Sequence, residues 1–469
     1  MAAQKVATAR PTSRPYVLRK LFRPALPYLS QGSTRQLLLM LSSGTALTIG
    51  LSLFDSAVVE SPTRKFRRGG SIRAFQPPIP QRDTFRNMKQ LRVLAPTRYP
   101  WTFNGPRRSE HTIERRSFVP FDWISKKIEA TTVFNPLPPR RFDLIHAFNR
   151  IPLSTIPFVI GFESHLPRAF GLENTPYFRR LTDMLSGERC RAIVAISEHA
   201  RKIFQDTHAG RPGTRDMLDK LCVRYPNVDV LENTDFMADD VPERVTVTFI
   251  GSHFGRKGGC VAVELARNAK AANFPLDVEI VSSLQVGRSI WTDPASSGFF
   301  DKYFALLDQP NVRHYASLDN RAVIDLLRRS HFCLLATFGD TFGFTAIEAL
   351  ANSTPVIATH QGALPEFIVH RQNGVLLDLP TNAHGEWIHS SSPVRDTEGF
   401  EKIFSEEVSR LAKQALDEIM LATQDARAYR AMRRAAKDTA RRLFDSRAAD
   451  RFWGDLYARA VEGKQPTLN

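Results

Sequence analysis

The chain has 469 residues, enough for two or three domains, and 42% of them are hydrophobic, which supplies real cores and argues against global disorder. Its formal charge of +16 suggests an anionic partner, but 14 Lys or Arg against three acids put +11 into residues 1–87 and leave +5 for the other 382. No recognition motif accompanies that basic stretch, so a nucleic-acid partner is disfavoured. Four scattered cysteines, Cys190, Cys222, Cys260 and Cys333, offer neither a disulfide framework nor metal-ligand spacing, and a reducing, cytoplasmic setting is expected.

Residues 1–87 read as a basic, low-order leader rich in Arg, Pro, Ser and Thr. Its apolar stretch Leu37–Phe54 is 18 residues long, just at the lower bound for a membrane span, and carries seven Ser, Thr or Gly. Peripheral contact with the inner face of a membrane is left open on that ground. Met88-Lys89-Gln90-Leu91 is a natural start for a first strand, which leaves the leader open to being no part of the mature protein.

From residue 88 to 242 the chain reads as a first α/β domain. QLRVLAP opens with a short apolar strand, and its exit loop carries Trp101, Phe103, Asn104, Arg107 and Arg108, candidates for ligand contact as much as for plain surface. Only about 50 residues separate this strand from FDLIHAF, and they are rich in Pro and Arg, so one or two βα units are expected to be short or missing. IPFVIGFESHLPRAF and RCRAIVAISEHARKIF supply further strand-and-turn units. Ser197 before Glu198 has the position of a helix N-cap.

A second domain is expected over 243–425. In VTVTFIGSHFGRKGG, β-branched and aromatic residues from Val245 to Ile250 form a strand closed by Gly251 and Ser252, with Arg256 and Lys257 on its exit loop. Two cations there suit a diphosphate, Arg as a fork and Lys as a point charge. Three helix-then-strand segments follow, giving the alternation of a parallel sheet. Next comes FGDTFGFTAIEALANSTPVIATHQGALPEF, which sets Asp340 and Glu348 on either side of a strand-to-helix turn. Gly343 allows close backbone approach, and Phe342, Gly343, Phe344 and Thr345 lead into a helix whose first amides form an anion site. Glu348, on the first turns of that helix, suits the ribose hydroxyls of a nucleotide, since it accepts hydrogen bonds that a phosphate cannot. The helices of 426–469 complete the chain, with Phe444, Phe452, Trp453 and Tyr457 read as core.

An acid, seven residues, a Glu, then A-x-A, T-P-V-I-A-T and G-x-L-P-E resembles the donor site of family 4 glycosyltransferases, retaining enzymes of the GT-B fold. Asp340 is one methylene shorter than the Glu usual there, and Thr341 stands where the loop usually begins with Gly. The upstream loop is similar to the G-S-x-F-x-R-K-G form of some lipopolysaccharide-core glucosyltransferases, with Ser252 in place of the commoner Arg. The resemblance implies two Rossmann-like domains across a cleft and a last helix crossing back to the first domain. It implies a nucleotide-sugar donor and a glycan or lipid-linked acceptor. Arg256 and Lys257 would hold the diphosphate, Glu348 the ribose and Asp340 a donor-sugar hydroxyl, with His165 of GFESHLPR facing the reacting centre and Glu163 a weaker candidate. With no Asp-x-Asp motif, no metal and no other cofactor is expected. Two alternatives stay open: a non-catalytic GT-B binding or scaffold protein, and a nucleotide-sugar epimerase or phosphorylase.

Overall fold

A computed structural model describes residues 90–97, 100–120, 129–134, 142–230 and 243–464; the leader with its stretch 37–54 lies outside the described residues. Among the described residues the first domain has nine strands: β1 (Arg92–Pro96), β2 (Thr112–Arg116), β3 (Phe118–Pro120), β4 (Thr131–Phe134), β5 (Leu144–Phe148), β6 (Ile151–Pro152), β7 (Phe158–Phe162), β8 (Cys190–Ala195) and β9 (Leu221–Val223). Six of them form a parallel sheet in the order β2-β1-β5-β7-β8-β9. The strands β3, β4 and β6 make a small separate sheet.

The second domain holds β10 (Val245–Ile250), β11 (Leu276–Val281), β12 (Val312–Tyr315), β13 (Phe332–Leu335), β14 (Val356–Thr359) and β15 (Gly374–Leu377). All are parallel, in the order β12-β11-β10-β13-β14-β15. Order reverses between β10 and β13. This is the point where doubly wound sheets open a ligand crevice beyond their carboxyl ends.

The apolar runs follow from burial on both faces of each sheet. Over one face of the second sheet lie the helices Gly259–Ala271 and Glu398–Thr423, and over the other Phe344–Ala351 and Ala426–Phe444. The last helix, Ser446–Glu462, returns to the first sheet, where Ala449, Trp453, Leu456 and Tyr457 cover Val93, Leu144, Val159 and Val194. Full burial of Trp453 and Tyr457 stabilises this crossing by roughly 2–3 kcal/mol each. Inside the contact, His146 Nδ1 lies 2.7 Å from the Tyr457 hydroxyl, and burial drives its pKa down to about 3, so it is neutral there. Two doubly wound parallel sheets joined by a helix that crosses back form the GT-B architecture.

Among the described residues, the stretch between β1 and β5 holds β2, β3, β4 and one helix, the five-residue Pro100–Asn104. No helix among the described residues is long and apolar enough to cross a membrane.

Candidate functional site

The exit of β10 and the exit of β13 meet at the switch point. The residues Phe254–Lys257 form one turn of helix where the sequence suggests an open loop. Arg256 and Lys257 are therefore held in fixed directions. Gly258 (φ 96°) then turns the chain into the helix Gly259–Ala271, and a Cβ placed on it would lie 2.4 Å from the Ala336 carbonyl oxygen. Only glycine lets the two exits approach so closely. Further contacts lock them, since the Arg256 carbonyl accepts from the Phe338 amide at 2.8 Å and from the Thr337 hydroxyl at 2.9 Å.

Lys257 and Asp340, 83 residues apart in the chain, form an ion pair. Burial pushes the Asp340 carboxyl up, but the charges of Lys257 and Arg256 and the Phe342 amide outweigh it and hold the group below its usual range. Burial pulls the Lys257 ammonium down against the attraction of Asp340. Arg256 donates to the Gly339 carbonyl at 2.7 Å and to His253 Nδ1 at 2.7 and 3.0 Å, with its guanidinium 4.7 Å from the Trp291 ring centroid. Two cations thus converge on the Asp340 carboxylate, with Glu163 and Asp293 also near them.

The helix Phe344–Ala351 opens at Gly343 (φ 89°) with no side-chain cap, as does Gly259–Ala271 at Gly258. Elsewhere Thr175, Ser197, Asp319, Thr397, Asp425 and Asp445 each cap the helix they precede. Helix N-termini entered through glycine and left uncapped beside two cations are suited to an anion. Glu348 lies half-buried on the second turn; burial raises its pKa to about 7, with Arg107 of the first domain pulling the other way. Phe344 stacks on Phe103 of the first domain at 4.6 Å. The Phe342 ring is fully buried against Phe367, so only its main chain is available to a ligand. Gly251 and Ser252 lie at the strand exit, with the Ser252 carbonyl accepting from the Gln285 amide.

From the first domain, Glu163 is the residue whose carboxyl feels Lys257 and Asp340. Burial raises its pKa, Arg168 lowers it, and its amide donates to Asn149 Oδ1 at 3.0 Å. His165 sits half-buried beside Phe170, and burial lowers its pKa; the strongest charges on it are those of Glu386, Arg168 and His384. Its neighbours are thus the turn Asn382–Glu386 of the second domain, which also reaches the helix Glu198–His208 through Lys202 and Asp206. The stronger sequence candidate faces this turn and the weaker one faces the cations.

Three residues given no role by the sequence, Glu366, Asp293 and Trp291, stand at or beside the site. Glu366, from the G-x-L-P-E segment, accepts from the Glu198 amide (2.9 Å), the His199 amide (2.6 Å) and the Tyr225 hydroxyl (2.9 Å), clamping the second domain onto the first. Ser197 Oγ caps the same helix by accepting from the Ala200 amide at 2.9 Å. Asp293 is fully buried near Arg256, accepts from the Gly287 amide and the Thr292 hydroxyl, and is raised to about 7 by burial. Trp291 lies over Arg256 with 43% of its surface exposed.

The fold and this constellation define a GT-B protein whose second domain is built to hold an anion and a neighbouring polar group at the sheet switch point. Residues 301–385, which include Asp340, Gly343 and Glu348, match the family model described as Glycosyl transferases group 1. No curated protein matches the chain. Among solved structures, a glycosyltransferase from Rickettsia africae ESF-5 is similar at 18% identity over 68% of this chain and 77% of that one, with a TM-score of 0.47. Anabaena Alr3699/HepE in complex with UDP and glucose is similar at 13% identity over 77% of this chain and 98% of that one, also at 0.47. The pneumococcal O-GlcNAc transferase GtfA in complex with UDP and GlcNAc is similar at 14% identity over 66% of this chain and 53% of that one, at 0.42.

Proposed function

We propose that the protein is a retaining glycosyltransferase that moves a sugar from a nucleoside diphosphate to an acceptor hydroxyl, in the synthesis of an envelope polysaccharide or glycolipid. The observation that carries this reading is the cradle at the switch point: Lys257 and Arg256 beside Asp340, with the uncapped, glycine-entered helix Phe344–Ala351 following and Glu348 on its second turn. The cations and amides would stabilise the departing diphosphate, where charge grows in the transition state. Glu348 would accept from the ribose hydroxyls and Asp340 from a donor-sugar hydroxyl. Arg256 and Lys257 would do at the diphosphate what a metal does elsewhere, so the proposed transfer is metal-independent. Residues 88–242 would hold the acceptor and 243–425 the donor, with Glu163 facing the cations from the acceptor side and His165 beside the turn Asn382–Glu386.

No side chain in the cradle is placed as an obvious nucleophile, so retention would proceed by departure and attack on one face, with the leaving phosphate accepting the acceptor's proton. The Glu366 clamp would hold the cleft closed and keep water out during that step. The test is incubation with a panel of nucleoside diphosphate sugars and extracted glycolipid or glycan acceptors, with proton NMR of the product's anomeric centre. An α-donor yielding an α-linked product, abolished by Lys257→Ala, supports the proposal. An inverted product, or a nucleotide sugar consumed with no sugar transferred, refutes it.

A further inference from the structure

Between the helix Pro100–Asn104 and β2 the chain crosses back along the sheet edge, and beside this crossing lies a cavity of about 540 Å³. Its polar lining is Arg107, Arg108, Ser109, His111, Arg115 and Asp229. Trp101, Pro106 and Ile113 provide apolar wall. Arg107 is occupied, pairing with Asp229 at 3.3 Å and donating to Asn227 at 2.9 Å. The side chains of Arg108 and Arg115 are exposed and have no hydrogen-bond or ion-pair partner among the described residues. His111 is buried in the cavity wall.

Three guanidinium groups against one acid, Asp229, gather like charge at this cavity, and like charges repel. An anion at this place removes that repulsion through charge-assisted hydrogen bonds. Two unpartnered guanidinium forks match the several oxygens of a phosphate better than the two of a carboxylate. The apolar wall leaves room for an organic body carrying it. We propose that this cavity binds the phosphate group of a phosphate ester, separately from the diphosphate of the donor. Arg107, which lines the cavity, is also the charge acting on Glu348, so the two sites adjoin. On the transferase reading of the previous section, the ester would be part of the acceptor.

The test is calorimetric titration of the full chain at constant ionic strength with glycerol 3-phosphate, with inorganic phosphate, and with phosphatidylcholine vesicles with and without phosphatidic acid. Arg108→Ala/Arg115→Ala should weaken binding roughly tenfold or more. Lys257→Met/Asp340→Leu, which alters the donor cradle, should leave it in place. Loss confined to the phosphatidic acid vesicles would assign the phosphate to a lipid headgroup, and loss with the soluble ester to a free one. Absence of binding by any phosphate probe, or equal affinity in Arg108→Ala/Arg115→Ala, overturns the proposal. Parallel titration with nucleoside diphosphates separates the two readings, because the cavity can hold a phosphate ester in a protein that binds no nucleotide.

Discussion

Glu348→Gln separates what the carboxylate does for a ligand from what it costs the fold. In the folded protein burial lifts this carboxyl from 4.5 to about 7. A carboxyl raised on folding binds its proton more tightly in the folded state, so its contribution to stability is most favourable below about pH 4.5. It is lost as pH rises to about 7, and is constant above. The interval amounts to about 3 kcal/mol, reduced to about 2 for the part of the side chain that water still reaches. Glutamine carries no charge, so the variant should exceed the wild type by about 2 kcal/mol at pH 8, with the difference vanishing below about pH 4 in urea denaturation. Binding should run the other way. Ribose hydroxyls donate to the ionised carboxylate, so nucleoside diphosphate affinity of the wild type should rise as pH passes 7, while the variant binds more weakly and shows only the titration of the nucleotide's own phosphate. A variant less stable than wild type at pH 8, or identical pH profiles for both proteins, would refute this account of Glu348.

Lys257→Met leaves Asp340 buried without its partner and should destabilise the protein by about 3–5 kcal/mol, with Asp340→Leu in the same chain recovering most of the loss, both read from denaturant midpoints. Glu366→Ala removes the acceptor of two amides and a hydroxyl at the domain contact. The cleft should open, raising the radius of gyration in X-ray scattering and the donor KM, and an unchanged scattering profile would refute the clamp. Gly258→Ala meets both a φ of 96° and the Ala336 carbonyl, so the Tm should fall by several degrees and nucleotide binding with it; retained binding at full affinity would show that the two strand exits need not touch.

The second domain was legible because its signals are local. A buried parallel strand reads as an unbroken apolar run, and the turn at Gly343 announces itself by residue type. The pairing of Lys257 with Asp340 was not, because each residue has a sufficient reading within its own loop and nothing local joins positions 83 apart. Glu366 lay inside a quoted motif without a role, since its partners are the amides of a helix 168 residues upstream. Glu163 and His165 show the same limit within one loop. Two residues of separation send one side chain toward the cations and the other toward the turn Asn382–Glu386, and that choice depends on the opposite domain. The thinness of the first domain was visible as composition, whereas its small sheet of β3, β4 and β6 rests on strands of two to four residues, too short to carry a period.

The central claim is that the exits of β10 and β13 hold a nucleoside diphosphate, and calorimetric titration of the wild type and Lys257→Met/Asp340→Leu with UDP, GDP, ADP, CDP and dTDP tests it most directly. Saturable binding of one of these by the wild type, lost in the variant, is the predicted result. No binding of any, or equal binding by both proteins, would contradict it.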